Sequence, residues 1–450
     1  MRDLYEAQRA MRQMRRQAMA RGVLAVLDIG TSKITCIVLQ FDGPSQFRET
    51  DGVGPMAGQS SFRVIGQFTT QSRGVRYGEI ETMAETERCV RHAVQGAQKQ
   101  AGVRVDHVIA TISGARPSSY GLAGEIPLRS GKVTEEDVAA VLASCDAPDF
   151  GKNREVLHAQ PVNFAVDARS GLSDPRDIVG NRLAVDMHVL TIDGSAASNL
   201  VHCIRRCDLE LAGVGSAAYA AGRAALVEDE QELGAACVDM GGGVTGVSLF
   251  LKKHMIFADA VRMGGDLVTR DISQGLRVPL ATAEWLKTRH GGLEATGRDD
   301  REMIDVTNVP GAEPRGDTWQ DERRSVSRAD LIGIMRPRVE EILDGVRDVL
   351  DAAGFDQMPS RQVVLTGGGC QIPGLDTLAA RILGQNVRIG RPLRIQGLAQ
   401  QHTAPCHAAT VGLALHAANP QDEWWDFEMP VGRAGVVGLR RAYRWFRNNW

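Results

Sequence analysis

The sequence predicts an α/β protein of two similar halves, with a small subdomain inserted in the first half and an amphipathic helix at the C-terminus. Three observations predict it. An Asp-x-Gly turn between two apolar runs occurs at residues 24–40 and again at 237–251. A strand-rich block with a different pattern interrupts the first half. The chain has 450 residues, too long for one hydrophobic core, so at least two domains are expected.

The composition is that of a soluble globular protein, with 43% hydrophobic and 24% charged residues. A net charge of −3 gives no sign of nucleic-acid binding, so nucleic acid is not expected as a partner. No apolar run is long enough to span a bilayer. The eight cysteines include no Cys-x-x-Cys pair and mostly sit in apolar runs, as buried thiols do in a reducing compartment.

Two short segments allow more than one interpretation. Residues 1–22 are basic and lack the apolar core of a secretory signal, which predicts a solvated or partly helical extension, with binding to acidic surfaces as the alternative. Cys203 and Cys207 lie one helical turn apart beside His202. Two cysteines and a histidine rarely suffice for zinc, so packing is favoured over a metal site.

The order of elements along the chain gives the domain limits. Residues 106–183 read strand–helix–strand–strand, with a helix start at Thr134 followed by acidic residues. The other expected segments are a first half at 23–105 and 184–214, a second half at 215–263 and 356–418, a variable helical part of the second half at 264–355, a linker at 419–435 and a C-terminal helix at 436–450.

Both Asp-x-Gly turns suit a phosphate chain. Glycine lets the backbone approach phosphate oxygens, and successive N–H groups form an anion-binding concavity. Two aspartates at strand ends can hold Mg²⁺, through its waters. The predicted phosphate-binding residues are Gly30, Thr31, Ser32 and Lys33 of the first turn and Gly241, Gly242 and Gly243 of the second, with Asp28 and Asp239 as the metal ligands.

A third glycine-rich turn strengthens this interpretation. Residues 363–375 form a β-branched strand, then Gly367, Gly368 and Gly369, then a helix start. Such a turn leaves room for a base or a ribose against the backbone. Either Asp-x-Gly turn alone reads as an ordinary β-turn, whereas the two of them together with this third turn predict a nucleotide cleft.

The order and spacing of these turns resemble the actin and DnaK-type ATPase superfamily. The resemblance implies an actin-like two-half ATPase fold, ATP with Mg²⁺ as cofactors, and an adenosine loop at Gly367–Gly369. Residues 283–291 are similar to the adenosine-facing helix, which implies that Glu284 and Lys287 contact the nucleoside; a surface ion pair is the alternative. Gly264 and Gly265 match the glycine pair that covers the phosphates.

The inserted block resembles the FtsA family of bacterial cell-division proteins. This resemblance implies an SHS2-type inserted subdomain that meets other division proteins, and a second-half subdomain that binds the C-terminal peptide of FtsZ. We look for that peptide near Arg328, Arg336 and Arg338, for which a solvated helix face is the alternative. The turn at 175–180 reads PRDIVG where the family commonly has PIGMSG, a difference confined to a surface loop.

The last fifteen residues carry an amphipathic pattern. Apolar side chains at spacings of three and four fall on one helical face, although Trp445 lies opposite. Arginines beside that face suit anionic headgroups, at about 1 kcal/mol each. The predicted membrane contacts are Val436, Leu439, Arg440, Arg441, Tyr443, Arg444, Phe446, Arg447 and Trp450. A terminal helix packed on the body is the alternative.

The function implied is that of an ATP-binding adaptor at the cytoplasmic face of the inner membrane, at the division septum. It would tether FtsZ filaments to anionic lipids, self-assemble and recruit later division proteins. A sugar or acid kinase or phosphatase of the same superfamily is one alternative, and a DnaK-like chaperone is another. The sequence shows no residue that positions water, so ATP hydrolysis is expected to be slow or absent.

Overall fold

The computed structural model describes residues 2–42, 62–146, 148–294, 296–306 and 325–427. The first half is built around one sheet in the order β11-β6-β1-β2-β3. Its elements are α1 (Arg2–Ala20), β1 (Val23–Ile29), β2 (Lys33–Phe41), β3 (Phe62–Gln71), β4 (Val75–Arg76), β5 (Glu79–Ile80), α2 (Met83–Ala101), β6 (His107–Ile112), then, after the insert, α4 (Gly194–Arg206), β11 (Glu210–Ser216) and α5 (Ala217–Ala225).

The second half repeats this topology in a sheet of the order β14-β13-β12-β17-β18. Its elements are α6 (Glu228–Leu233), β12 (Ala235–Met240), β13 (Thr245–Leu251), β14 (His254–Val261), α7 (Gly265–Leu276), α8 (Leu280–His290), β15 (Met303–Asp305), β16 (Ser325–Ser327), α9 (Arg328–Ala352), β17 (Gln362–Thr366), α10 (Leu375–Leu383), β18 (Asn386–Ile389) and α11 (Ala408–Ala418). In both sheets the first strand pairs antiparallel with the hairpin partner and parallel with a later strand. The two halves are therefore structural repeats.

The insert is a separate antiparallel sheet in the order β7-β10-β8-β9. Its elements are β7 (Ser118–Pro127), α3 (Glu135–Ala143), β8 (Arg154–Val166), β9 (Arg169–Leu172) and β10 (Arg182–Asp193). Thr134 caps α3 in a reciprocal bond pair with Asp137, as the sequence predicts. The limits of 106–183 require correction, because β6 pairs with β1 and β11 inside the first-half sheet, whereas β10 belongs wholly to the insert.

The N-terminal extension is helical, which agrees with one form of the prediction, but the helix is packed on the body and is not a solvated tail. Ala18 of α1 is buried against the first-half sheet in a cluster that includes Leu24 and Ile109. Arg12 and Arg15 are only 8% and 4% exposed. The sequence pattern does not reveal this burial. The buried side of α1 consists of methionine, alanine and two arginines, and the acidic partners of these arginines lie elsewhere in the chain.

The start of the predicted linker is also fixed to the body. A single 3₁₀ turn at Trp424–Asp426 places Trp425 in the hydrophobic core of the insert. Arg12 of α1 binds Asp426 at 2.6 Å and the carbonyl of Gln421 at 2.9 Å. Residues 419–427 therefore join α1 to the insert, and the segment that could separate the C-terminal helix from the body begins only after Phe427.

Two helices cross between the halves at very short range. A Cβ on Gly412 of α11 would lie 1.6 Å from the carbonyl oxygen of Ala220 in α5, so only glycine allows this approach. None of the helices in the described ranges combines the length and apolar character needed to cross a bilayer. Cys203 and Cys207 are buried, whereas His202, which directly precedes Cys203, is exposed, so the three side chains do not share one environment.

Candidate functional site

The first Asp-x-Gly turn joins β1 to β2. Gly30 N–H donates to the carbonyl of Lys33 at 3.0 Å and closes the turn over Thr31 and Ser32. Thr31 Oγ1 accepts a bond from the backbone N–H of Gly78 at 2.9 Å. The predicted phosphate-binding residues thus occupy a tight turn at the end of a fully buried strand, which fixes their position.

The second turn joins β12 to β13 and meets the first. Gly241 N–H donates to the carbonyl of Val244 at 2.9 Å. A Cβ on Gly243 would lie 2.6 Å from Thr31 Oγ1, and one on Gly242 would lie 3.2 Å from the Cβ of Ser32. The structure therefore brings the two glycine turns, one from each half, into contact at a single place, and a side chain at Gly243 would force them apart.

The two predicted metal ligands end the first strand of each half. Both carboxylate oxygens of Asp28 accept hydroxyl bonds, from Thr111 at 2.7 Å and Thr410 at 2.8 Å. Burial of its carboxyl, and after it the charge of Asp28, raises the pKa of Asp239 to about 7. Two desolvated carboxyls that repel each other favour a divalent cation between them, so this donor set fits Mg²⁺.

The third glycine turn follows β17 and lies against the second. Gly367 has φ of +85°, and a Cβ there would lie 2.4 Å from Asp239 Oδ1. Gly369 likewise packs against Met240. Gly368 is different, because a Cβ there would have only Cys406 near it, at 3.7 Å. The close packing around residue 367 therefore requires glycine whether or not a nucleotide is bound. Gly368, in contrast, borders open space in which a nucleoside could lie.

Gly264 and Gly265 lie at the start of α7, beside the second turn. Gly265 N–H donates to the carbonyl of Gly241 at 3.0 Å, and Asp266 N–H to that of Gly242 at 2.8 Å. A Cβ on Gly264 would come within 2.6 Å of both carbonyls. The N–H groups of Gly265 and Asp266 are therefore engaged by the second glycine turn, and the glycine pair packs against that turn.

Glu284 and Lys287 form more than a surface ion pair. Lys287 Nζ lies 2.7 Å from Glu284 Oε2 and donates to the carbonyl of Gly265 at 3.1 Å and to Thr269 Oγ1 at 2.8 Å. The Lys287 side chain is 11% exposed. This arrangement ties α8 to the start of α7 and places both side chains near the glycine turns.

Sequence reasoning missed the residues that close the two halves together. The backbone nitrogen of Tyr77 in the first half lies close to Gly243, and the guanidinium groups of Arg76 and Arg262 lie 5.2 and 5.3 Å from the centre of the Tyr77 ring. Arg262, from the second half, also binds Glu79 at 3.0 Å. No local motif marks Tyr77, Thr111 or Thr410, since each gains its role from a partner more than 80 residues away.

The three arginines predicted to contact the FtsZ peptide each form an ion pair within the chain. Arg328 pairs with Asp299, Arg338 pairs with Asp271 at 2.6 Å, and Arg336 pairs with Glu340 at 2.8 Å. They lie along α9 and do not converge on one point. The predicted membrane-contact residues, from Val436 to Trp450, fall outside the described residues.

Comparisons with known proteins agree with this arrangement. The family model described as "Cell division protein FtsA" matches residues 236–412, and the one described as "SHS2 domain inserted in FTSA" matches residues 114–191. The second match begins after β6 and ends within β10, in agreement with the corrected insert limits.

Similar chains cover nearly the whole length. The "Cell division protein FtsA" of Rhizobium meliloti (strain 1021) is 38% identical over 394 residues, which is 88% of this chain and 87% of the relative. That of Agrobacterium fabrum (strain C58 / ATCC 33970) is 36% identical over 437 residues, 95% of each. A solved "PilM-PilN type IV pilus biogenesis complex" has a TM-score of 0.57 at 16% identity, covering 88% of this chain and 99% of that chain. The fold is therefore the predicted actin-like α/β fold with an inserted SHS2 domain.

Proposed function

Because the chain belongs to the FtsA family of cell division proteins, we propose that it binds ATP with Mg²⁺ and links FtsZ filaments to the inner membrane. The observation that carries the ATP proposal is the contact between the two glycine turns, with Gly243 against Thr31. Phosphates bound there would touch both halves at once. Binding would therefore favour the closed arrangement of the halves, and self-assembly would then proceed from this closed form.

The bound cation and phosphates have specific residues available to them. Asp28 and Asp239 would hold Mg²⁺, which neutralises the developing charge on a polyphosphate. Thr31, Ser32 and Lys33 would contact the phosphate oxygens together with the N–H groups of Gly242 and Gly243. Both carboxylate oxygens of Asp28 already accept threonine hydroxyl bonds, which leaves this carboxylate poorly placed to position an attacking water. We therefore expect turnover to be slow at best.

Attachment to the membrane would come from residues 436–450. Four arginines near an anionic leaflet contribute about 1 kcal/mol each, so a single helix binds reversibly. Several helices on one polymer bind far more tightly, because each further contact is intramolecular. Self-assembly and membrane attachment would then reinforce each other at the septum, where the insert would meet later division proteins.

The decisive experiment is co-sedimentation of FtsZ with anionic vesicles. We expect FtsZ to pellet with vesicles when the full chain and ATP are present, and to stay in solution when the chain ends at residue 435. Neutral vesicles serve as the lipid control. Equal pelleting by the full and the shortened chain would overturn the assignment of the C-terminal helix.

The FtsZ-peptide surface can be tested separately on α9. Arg336 has the most exposed of the three arginine side chains, and its ion pair with Glu340 spans one helical turn, an interaction worth only a few tenths of a kcal/mol. A peptide could displace it at little cost. Arg336→Ala should weaken binding of the FtsZ C-terminal peptide about tenfold, a typical loss for a contact of about 1.4 kcal/mol. Arg347→Ala removes a similar pair with Asp344 on the same helix and should leave binding unchanged.

A further inference from the structure

A groove of about 620 Å³ lies between the N-terminal helix and the first half. Its walls come from α1, from the start of β8 and from α4, and its floor comes from β11. Met11, Val156, Val201 and Val214 line it, and each is only partly buried by the described residues. A space of this size accepts several large apolar side chains. We call it the α1–α4 groove.

Two residues that are next in sequence to groove-lining residues hold the root of the C-terminal tail, residues 423–426. His158, directly after the lining residue Leu157, binds Glu423 at 2.9 Å. Arg12, directly after the lining residue Met11, binds Asp426 at 2.6 Å. Both walls of the groove are thus joined to the same short stretch of chain, residues 423–426, and the described chain ends one residue later.

The remaining chain is long enough to return to the groove. Residues 428–435 can span about 27 Å when extended, at about 3.4 Å per residue. Gln8, at the groove, and Arg12, at the tail root, are four residues apart on α1, or about 6 Å along its axis. The eight residues therefore span several times this axial separation, which is enough reach to return residue 436 towards α1.

We propose that the α1–α4 groove binds residues 436–450 of the same chain when no membrane is available. The apolar face of that segment, with Leu439, Tyr443 and Phe446, matches the partly exposed apolar lining. Glu155 is exposed at the rim and offers a carboxylate to the arginines of the segment, whereas Arg205 on α4 carries the same charge as they do. The contact is therefore chiefly apolar.

Docking of this kind keeps residues 436–450 from binding a membrane until lipid competes with the groove for them. A segment tethered by a short linker has an effective concentration of about 1 mM. A free-peptide Kd below about 1 mM is then enough to keep most of the tails docked in solution. The inference rests on the membrane role proposed for residues 436–450, because a tail without lipid affinity would have nothing to be withheld from.

The first test measures docking without lipid. A labelled peptide of residues 436–450 is titrated with the chain that ends at residue 435, and binding is followed by fluorescence anisotropy. Ala7 and Ala10 are both exposed on α1, but only Ala7 lines the groove. We expect a Kd below about 1 mM, at least tenfold weaker binding for Ala7→Trp, and unchanged binding for Ala10→Trp. No binding at about 1 mM, or equal losses in both variants, overturns the proposal.

The second test measures release in the full chain. At limiting anionic vesicles, Ala7→Trp should raise the vesicle-bound fraction about fivefold, because it removes the competing docked state, while Ala10→Trp should match the unaltered chain. Binding of the isolated peptide to vesicles tests the membrane role independently, so its failure would sink the proposed function and not the docking result. A change in oligomer size with Ala7→Trp, without loss of peptide binding, would make a second copy the occupant and contradict the proposal.

Discussion

His158 of the insert donates its Nδ1 hydrogen to Glu423 at the root of the C-terminal tail, over 2.9 Å. The tautomer is fixed because Ser216 N–H donates to Nε2 at 3.1 Å, so Nε2 carries no hydrogen. Both side chains are almost fully buried. Burial alone would raise the pKa of Glu423, but His158, Arg12 and Gln160 hold that pKa below its ordinary value. Insert, first half and tail root thus meet at one buried carboxylate.

Replacement of that carboxylate should loosen the tail root. Glu423→Gln leaves Arg12 with one charged partner fewer in a buried setting, and breaking a buried pair costs about 3 kcal/mol. We expect amide hydrogen exchange of residues 419–427 to accelerate about a hundredfold. Asp422→Asn, at the exposed neighbour, is the matched control and should have little effect. Equal protection in both variants would show that the Glu423 carboxylate does not hold the tail root.

A buried histidine should make the protein sensitive to acid. Burial, and after it the neighbouring His158, lowers the pKa of His188 from 6.5 to about 3, and His188 Nε2 lies 3.0 Å from Ser119 Oγ. Between these pH values the unfolded chain binds a proton that the folded chain does not. Stability is therefore full above pH 6.5 and is lost as the pH falls towards 3.

The variant His188→Gln isolates this contribution, since glutamine can keep a bond to Ser119 but does not titrate. Between about pH 4 and 6 the free energy of unfolding should lose about 1.4 kcal/mol less per pH unit than in the unaltered chain. Chemical denaturation at several pH values measures the slope. An identical slope in both proteins would contradict a neutral, buried imidazole at this position.

Replacement of glycine by alanine should have opposite effects on stability at two positions in helices. At Gly412 of α11 the added Cβ would lie 1.6 Å from the Ala220 carbonyl oxygen, so α5 and α11 have to separate. We expect Gly412→Ala to destabilise the protein by about 3 kcal/mol. At Gly333 of α9 nothing lies within 4 Å of the added Cβ, and Gly333→Ala should stabilise the helix by about 1 kcal/mol. Thermal unfolding distinguishes the two, and a higher Tm for Gly412→Ala would refute the close approach.

The third glycine turn offers a test of the nucleotide site. Gly367→Ala places a Cβ against Asp239 in a left-handed conformation, so it should lower stability by about 2 kcal/mol even without nucleotide. Gly368→Ala meets nothing closer than 3.7 Å and should leave the Tm unchanged. If the nucleoside lies there, Gly368→Ala should weaken ATP binding about tenfold by calorimetry, a loss of about 1.4 kcal/mol. Unchanged affinity would remove Gly368 from the site.

The candidate site was largely predictable because each of its glycine turns is a local signal. An aspartate at a strand end followed by glycine limits the backbone to a tight turn, and a repeat of that pattern 211 residues later indicates a duplicated half. The residues that hold these turns could not be found in this way. Thr111 and Thr410 bind Asp28 from 83 and 382 residues away, and a single threonine gives no signal in the sequence that it has such a partner.

The sequence by itself determined the two-half α/β fold, its family and the composition of the candidate nucleotide site, because these depend on periodicity and on turns within a few residues. Only the tertiary structure decided how residues 2–20 and 419–427 are held. The pattern of residues 1–22 reads as a basic tail, yet Arg12 and Arg15 are buried because Glu423 and Asp426 lie beside them. Burial of a charge depends on a partner more than 400 residues away, which no local pattern can reveal.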